Sequence, residues 1–124
     1  MSTRRAFLQS SLIAAGAAML PRAHADAGAG AARVVSTWDF GVPANRAAWE
    51  VLGAGGSALD AVEAGARWAE TGQCNSTVGH CGYPDRDGFV TLDASIMQGD
   101  GSCGAVAALQ DIEHPVSVAR RVME

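Results

Sequence analysis

The sequence has 124 residues, of which 48% are apolar and 18% charged, with nine basic against thirteen acidic side chains and a net charge of −4. A chain of this length closes one small domain at most. The acidic surplus argues against nucleic acid or an anionic membrane surface as a partner, because both would be repelled.

The N-terminus pairs Arg4 with Arg5, follows them with Phe7-Leu8 and a modest apolar stretch from Leu12 to Leu20, and closes on Ala23-His24-Ala25 before Asp26. Charge, short apolar run and small-residue cleavage site together predict a twin-arginine signal peptide over residues 1–25, cut between Ala25 and Asp26, with delivery to the periplasm. The apolar run is too short to span a bilayer, so no membrane partner is expected. Cleavage removes three of the nine basic residues (Arg4, Arg5 and Arg22) and none of the thirteen acidic ones, which takes the net charge from −4 to −7. Residues 26–32 form a flexible linker of small residues, leaving 33–124 as the folded part.

Residues 34–40 read as a first strand that ends at Thr37, Trp38 and Asp39. A helix begins at Pro43, runs through Ala47, Ala48, Val51 and Leu52, and stops at the glycines from Gly53 to Gly56. Ser57, with Asp60 three residues on, resembles a capping box and opens a second helix from Ala58 to about Thr71, with Leu59, Val62, Ala66 and Ala69 on its apolar face. Turn residues fill Gly79 to Gly88. Val90, Leu92, Ala94 and Ile96 then alternate with Thr91, Asp93, Ser95 and Met97, the period of a half-buried strand. Gln98 to Gly101 reads as a hairpin turn, Cys103 to Leu109 as the return strand, and Pro115 to Glu124 as a last helix with Val118, Ala119, Val122 and Met123 as its face. That helix has no C-cap, which marks the chain as the N-terminal fragment of a longer one. The order is that of a mixed α/β (α+β) domain, a layered sheet with helices packed on it.

Several motifs fail on context. Gly53 to Ala58 matches a loose dinucleotide pattern, but a helix precedes it, and Gln73 and Asn75 stand where a ribose-binding acid belongs. Asp85-Arg86-Asp87-Gly88 lacks the remaining ligands of a calcium loop and reads as a solvated turn. His80 and His114 lie in no recognisable serine–histidine motif, and the spacing of Cys74 and Cys81 fits no common zinc site, so neither a metal nor a cofactor is expected. Cys74 and Cys81 either pair as a disulfide or stay free, and Cys103 reads as a small buried strand residue. Two readings of Trp38 stand side by side: core filler, or wall of a pocket at a strand's end.

Taken in order, Ser36-Thr37-Trp38, Gly56 to Glu63, Thr77-Val78-Gly79 with Gly82-Tyr83-Pro84-Asp85 and Gly88, Val90 to Met97, Gly104 to Ala107, and His114 to Glu124 resemble the glycosylasparaginase branch of the N-terminal-nucleophile hydrolases, the type 2 asparaginases. Cys81 and Thr77 depart from the pattern, standing where a small residue and a serine are usual. The resemblance implies part of a four-layer αββα sandwich, incomplete in this chain. It implies an enzyme that cleaves itself before a threonine beyond Glu124, then uses that threonine to hydrolyse the side-chain amide of a small asparagine derivative such as glycosylasparagine. No catalytic residue would then lie in this chain, which alone would be inactive. Trp38 would border the substrate and Thr37 and Thr77 would support the active site. The partner would be the chain's own C-terminal half, as a β subunit, in a homo-oligomer of heterodimers. An L-asparaginase or isoaspartyl peptidase of the same family is the first alternative, and a non-catalytic secreted scaffold the second.

Overall fold

A computed structural model describes residues 31–72 and 74–124. The signal peptide, its cleavage site at Ala25 and Asp26, and most of the linker lie outside the described residues. The elements are α1 (Gly41–Gly53), α2 (Ala58–Thr71), a 3-10 turn (Gly79–Cys81), β1 (Leu92–Met97), β2 (Cys103–Leu109) and α3 (Pro115–Met123).

Small residues let the first two helices approach closely. Ala44 and Ala48 of α1 are buried, and a Cβ on Gly65 of α2 would stand 3.0 Å from the Ala44 carbonyl oxygen and 3.4 Å from the Ala48 methyl. Helix α2 opens on a complete capping box. The Ser57 hydroxyl accepts from the Asp60 N–H at 3.1 Å, and the Asp60 carboxylate accepts from the Ser57 N–H at 3.2 Å. Two otherwise orphaned donors are thereby satisfied.

Strands β1 and β2 pair antiparallel, with Met97 opposite Cys103 and Ile96 opposite Gly104, and the register shifts between Leu92 and Ala94. The Asp93 carboxylate accepts the Ala108 N–H at 2.7 Å at this irregularity. Helix α3 lies across one face of the hairpin. Ile96, Val116 and Ala119 are its buried centre, and Leu59, Ala66, Ala94, Val106 and Met123 pack around them. The approach is so close at Gly104 that a Cβ there would overlap the Ala119 carbonyl oxygen.

Four expectations need correction. Residues 34–40 form no strand: a strand exists only as part of a ladder, and no described segment pairs with them. Instead the Trp38 carbonyl accepts the Gly41 N–H at 2.8 Å and turns the chain into α1 two residues before Pro43. Val62 is 55% exposed, because the buried stripe of α2 runs through Ala61, Gly65 and Glu70. Val122 is 61% exposed, because α3 buries Pro115, Val116 and Ala119. Cys103 is exposed and free, on the hairpin face that α3 leaves uncovered. The alternation of β1 is as expected, with Leu92, Ala94 and Ile96 inward.

Candidate functional site

Trp38 and Thr77, thirty-nine residues apart in sequence, line one cleft of about 340 Å3 together with Asp39, Phe40, Asn75 and Val78. The turn into α1 sets the tryptophan side, where Asp39 Oδ1 accepts the Phe40 N–H at 2.9 Å. Trp38 is 69% exposed, so it does not fill the core of the described part. The threonine side is a short loop. Asn75 Oδ1 accepts both the Thr77 N–H at 2.9 Å and the Thr77 hydroxyl at 2.8 Å, and Asn75 and Val78 form an isolated bridge. Gly79 follows with φ +75, seated so tightly on α2 that a Cβ would overlap the Glu70 carbonyl oxygen. A disulfide joins Cys74 to Cys81 with Cα atoms 5.2 Å apart, which decides between the two readings of that pair. Thr37 does not share the cleft: it lies in the neighbouring groove of about 260 Å3, where Trp38 and Phe40 meet Val62 and Ala66.

This arrangement can hold a ligand but does not activate a nucleophile. The Thr77 hydroxyl gives its proton to an amide oxygen, not to a base. Among the described residues no group of three His, Cys, Asp or Glu side chains could hold a metal ion.

Sequence reasoning missed two polar networks that fix the loop's platform. Glu70, 5% exposed, accepts the Val116 N–H at 3.0 Å and meets His114 Nδ1 at 3.1 Å, tying the end of α2 to the start of α3. Burial pushes the Glu70 carboxyl up, against the pull of Val116, His114 and Arg67. An acid in the last turn of a helix opposes the helix dipole, and that signal alone could have flagged it. Arg120 donates to Asp60 at 2.7 Å, to Glu63 at 2.6 Å and to Glu124 at 2.8 Å, while the Ser117 hydroxyl donates to Glu63 at 2.5 Å. Asp60 is held at about 2 by the Ser57 hydroxyl first and Arg120 second. The helix-to-helix contacts among these span more than fifty residues, beyond any local pattern.

Comparison with known proteins agrees with the residues that carry the resemblance. A family model described as Asparaginase matches residues 11–124. The chain is 55% identical over 91 residues to an N(4)-(beta-N-acetylglucosaminyl)-L-asparaginase of Elizabethkingia miricola, covering 73% of this chain and 27% of that protein. It is 52% identical over 92 residues to the mouse (Mus musculus) protein of the same name, covering 73% and 26%. Against a probable isoaspartyl peptidase/L-asparaginase of Arabidopsis thaliana it is 41% identical over 92 residues, covering 73% and 25%. The chain thus spans about a quarter of the length of the curated relatives it matches. By this match the chain belongs to the asparaginase family, and its residues resemble the glycosylasparaginases within it.

Proposed function

We propose that this chain is the first part of an exported amidohydrolase that cleaves the side-chain amide of glycosylasparagine. The observation that carries the reading is the 55% and 52% identity to proteins named for that substrate, against 41% to one named for isoaspartyl peptides and asparagine. The Trp38–Thr77 cleft supports it as one wall of a site for a small polar ligand, since tryptophan offers a large apolar face beside a hydroxyl and an amide.

The nucleophile in this reading is a threonine supplied by polypeptide beyond Glu124 and exposed by self-cleavage. Its own α-amino group serves as base for its hydroxyl, which attacks the substrate amide. The aminated sugar leaves, and water hydrolyses the acyl-enzyme to aspartate. Donors that stabilise the tetrahedral oxyanion belong to the same later part. Trp38 packs against the substrate. Thr77 and, from the adjoining groove, Thr37 support the threonine's surroundings. The hairpin face that α3 leaves open is where the rest of the four-layer sandwich packs, and the two parts assemble into higher oligomers. Residues 1–25 direct export through the twin-arginine route to the periplasm.

A substrate panel on the complete enzyme tests the reading. Glycosylasparagine is expected to turn over at least tenfold faster, in kcat/KM, than isoaspartyl dipeptides or free asparagine. The reverse order would place it with the isoaspartyl peptidases. A folded, inert product lacking any self-cleavage would favour the secreted scaffold.

A further inference from the structure

The Cys74–Cys81 disulfide closes a ring of sequence separation seven, and this ring carries Asn75, Thr77 and Val78, one whole side of the cleft. Among the described residues, the other ties of that side are few. The two bonds to Asn75 Oδ1 are local, so they orient Thr77 relative to Asn75 but not relative to Trp38. The isolated bridge from Asn75 to Val78 is local too. Beyond the ring, the Ser76 carbonyl accepts the Tyr83 N–H at 2.9 Å, and Gly79 rests on the Glu70 carbonyl. The ring pairs with neither strand of the sheet. Of the two cysteines Cys74 is exposed and Cys81 half-buried, so Cys74 is the end of the bond nearer to solvent.

We propose that Cys74–Cys81 is a redox-sensitive clasp that positions Thr77 against Trp38. The bond is opened by a dithiol. One thiolate attacks a cysteine sulfur, the S–S bond breaks and a mixed disulfide forms. The reductant's second thiol then displaces the protein. Two electrons and two protons pass to the protein as two cysteine thiols, and the reductant leaves as its own disulfide. The loop then swings on its ends, Thr77 and Asn75 leave their station opposite the indole, and the cleft loses a wall. Glu70 and the hairpin, which do not depend on the ring, stay in place. The clasp is closed in an oxidising compartment and open in a reducing one, so the cleft is complete only where the disulfide persists.

The inference rests on the reading of this cleft as a substrate wall, and its test separates the two. The purified full-length protein is compared with a Cys74→Ser/Cys81→Ser variant and with the protein treated with dithiothreitol, all in a Cys103→Ser background because Cys103 is exposed and free. Mass analysis reads the gain of two hydrogens on reduction. Amide exchange at residues 75–79 is expected to rise on the order of fiftyfold in both opened forms, the scale of the loop-closure entropy released by a ring of this size. Exchange in β1 and α2 should stay within about threefold, as expected of a local rather than global opening. Unchanged exchange at 75–79, or an equal rise in β1 and α2, would overturn the clasp. In the same proteins KM for glycosylasparagine should rise at least tenfold with a smaller change in kcat. A released loop with unchanged KM would overturn the positioning role, whereas absence of turnover in every form would count against the proposed activity and leave the exchange result to decide the clasp.

Discussion

Gly79 seats one end of the threonine loop on α2. Its φ of +75 disfavours any side chain, and a Cβ would strike the Glu70 carbonyl besides. Gly79→Ala should therefore destabilise the fold by about 2–4 kcal/mol, combining left-handed backbone strain with a backbone clash that cannot relax by rotamer. Chemical denaturation checks this, and a loss under about 0.5 kcal/mol, the scale of an ordinary surface substitution, would contradict it. Asp60 gives a test in pH. Its folded pKa of about 2 lies below the ordinary value of 3.8. The stability it contributes is thus fully present above pH 3.8 and is lost as pH falls through about 2. Asp60→Asn should be less stable than the parent at pH 7, with the gap closing between pH 3.8 and 2. A gap that stays constant across that window would show that Asp60 is not held by Ser57 and Arg120. Glu70 acts in the opposite sense: burial raises its pKa, so the folded state holds the extra proton and the stability it contributes falls as pH rises above the ordinary value of 4.5.

The helices were more legible than the strands because their ends carry local chemistry. Ser57 and Asp60 mark the start of α2, the glycines after Leu52 mark the end of α1, and Pro115 marks the start of α3. Replacing Ser57 by alanine removes one side of the capping box and should cost about 1 kcal/mol, read as a lower midpoint in denaturant with the slope unchanged. No effect would mean that the box is not formed in solution. The segment at 34–40 has every local mark of a strand and is not one, because a ladder partner is a property of the assembly rather than of the segment. The apolar faces erred at Val62 and Val122 for a related reason. An alanine-rich helix offers several weak apolar stripes, and the close contact through Gly65 or Ala119 decides which is buried. The sequence singles out Trp38 and Thr77 through the resemblance, and both line the cleft, but it carries no local mark of Asn75 or of the networks of Glu70 and Arg120. Their partners come from other helices or from a loop whose shape depends on the disulfide.

At the scale of the molecule, the described part buries little. Its core centre is Ile96, Val116 and Ala119, whereas Val35, Trp38, Val42, Trp49, Tyr83, Phe89 and Met97 are each more than half exposed. Exposed apolar area on this scale marks a surface for protein, membrane or ligand contact, or one prone to aggregate. Residues 26–124 alone should bind an apolar dye and self-associate at micromolar concentration. A monodisperse monomer without dye binding would argue that no further layer packs there. In the proposed chemistry this chain would supply a scaffold and one wall of the cleft, with the nucleophile supplied from elsewhere. The most direct measurement sets glycosylasparagine hydrolysis by purified residues 26–124 beside that of the complete polypeptide, with N-terminal sequencing of the latter. The expected result is no turnover by the first, and turnover by the second only after it has been cut before a threonine. Hydrolysis by residues 26–124 alone, or by an uncut complete chain, would contradict a nucleophile supplied by self-cleavage outside this chain.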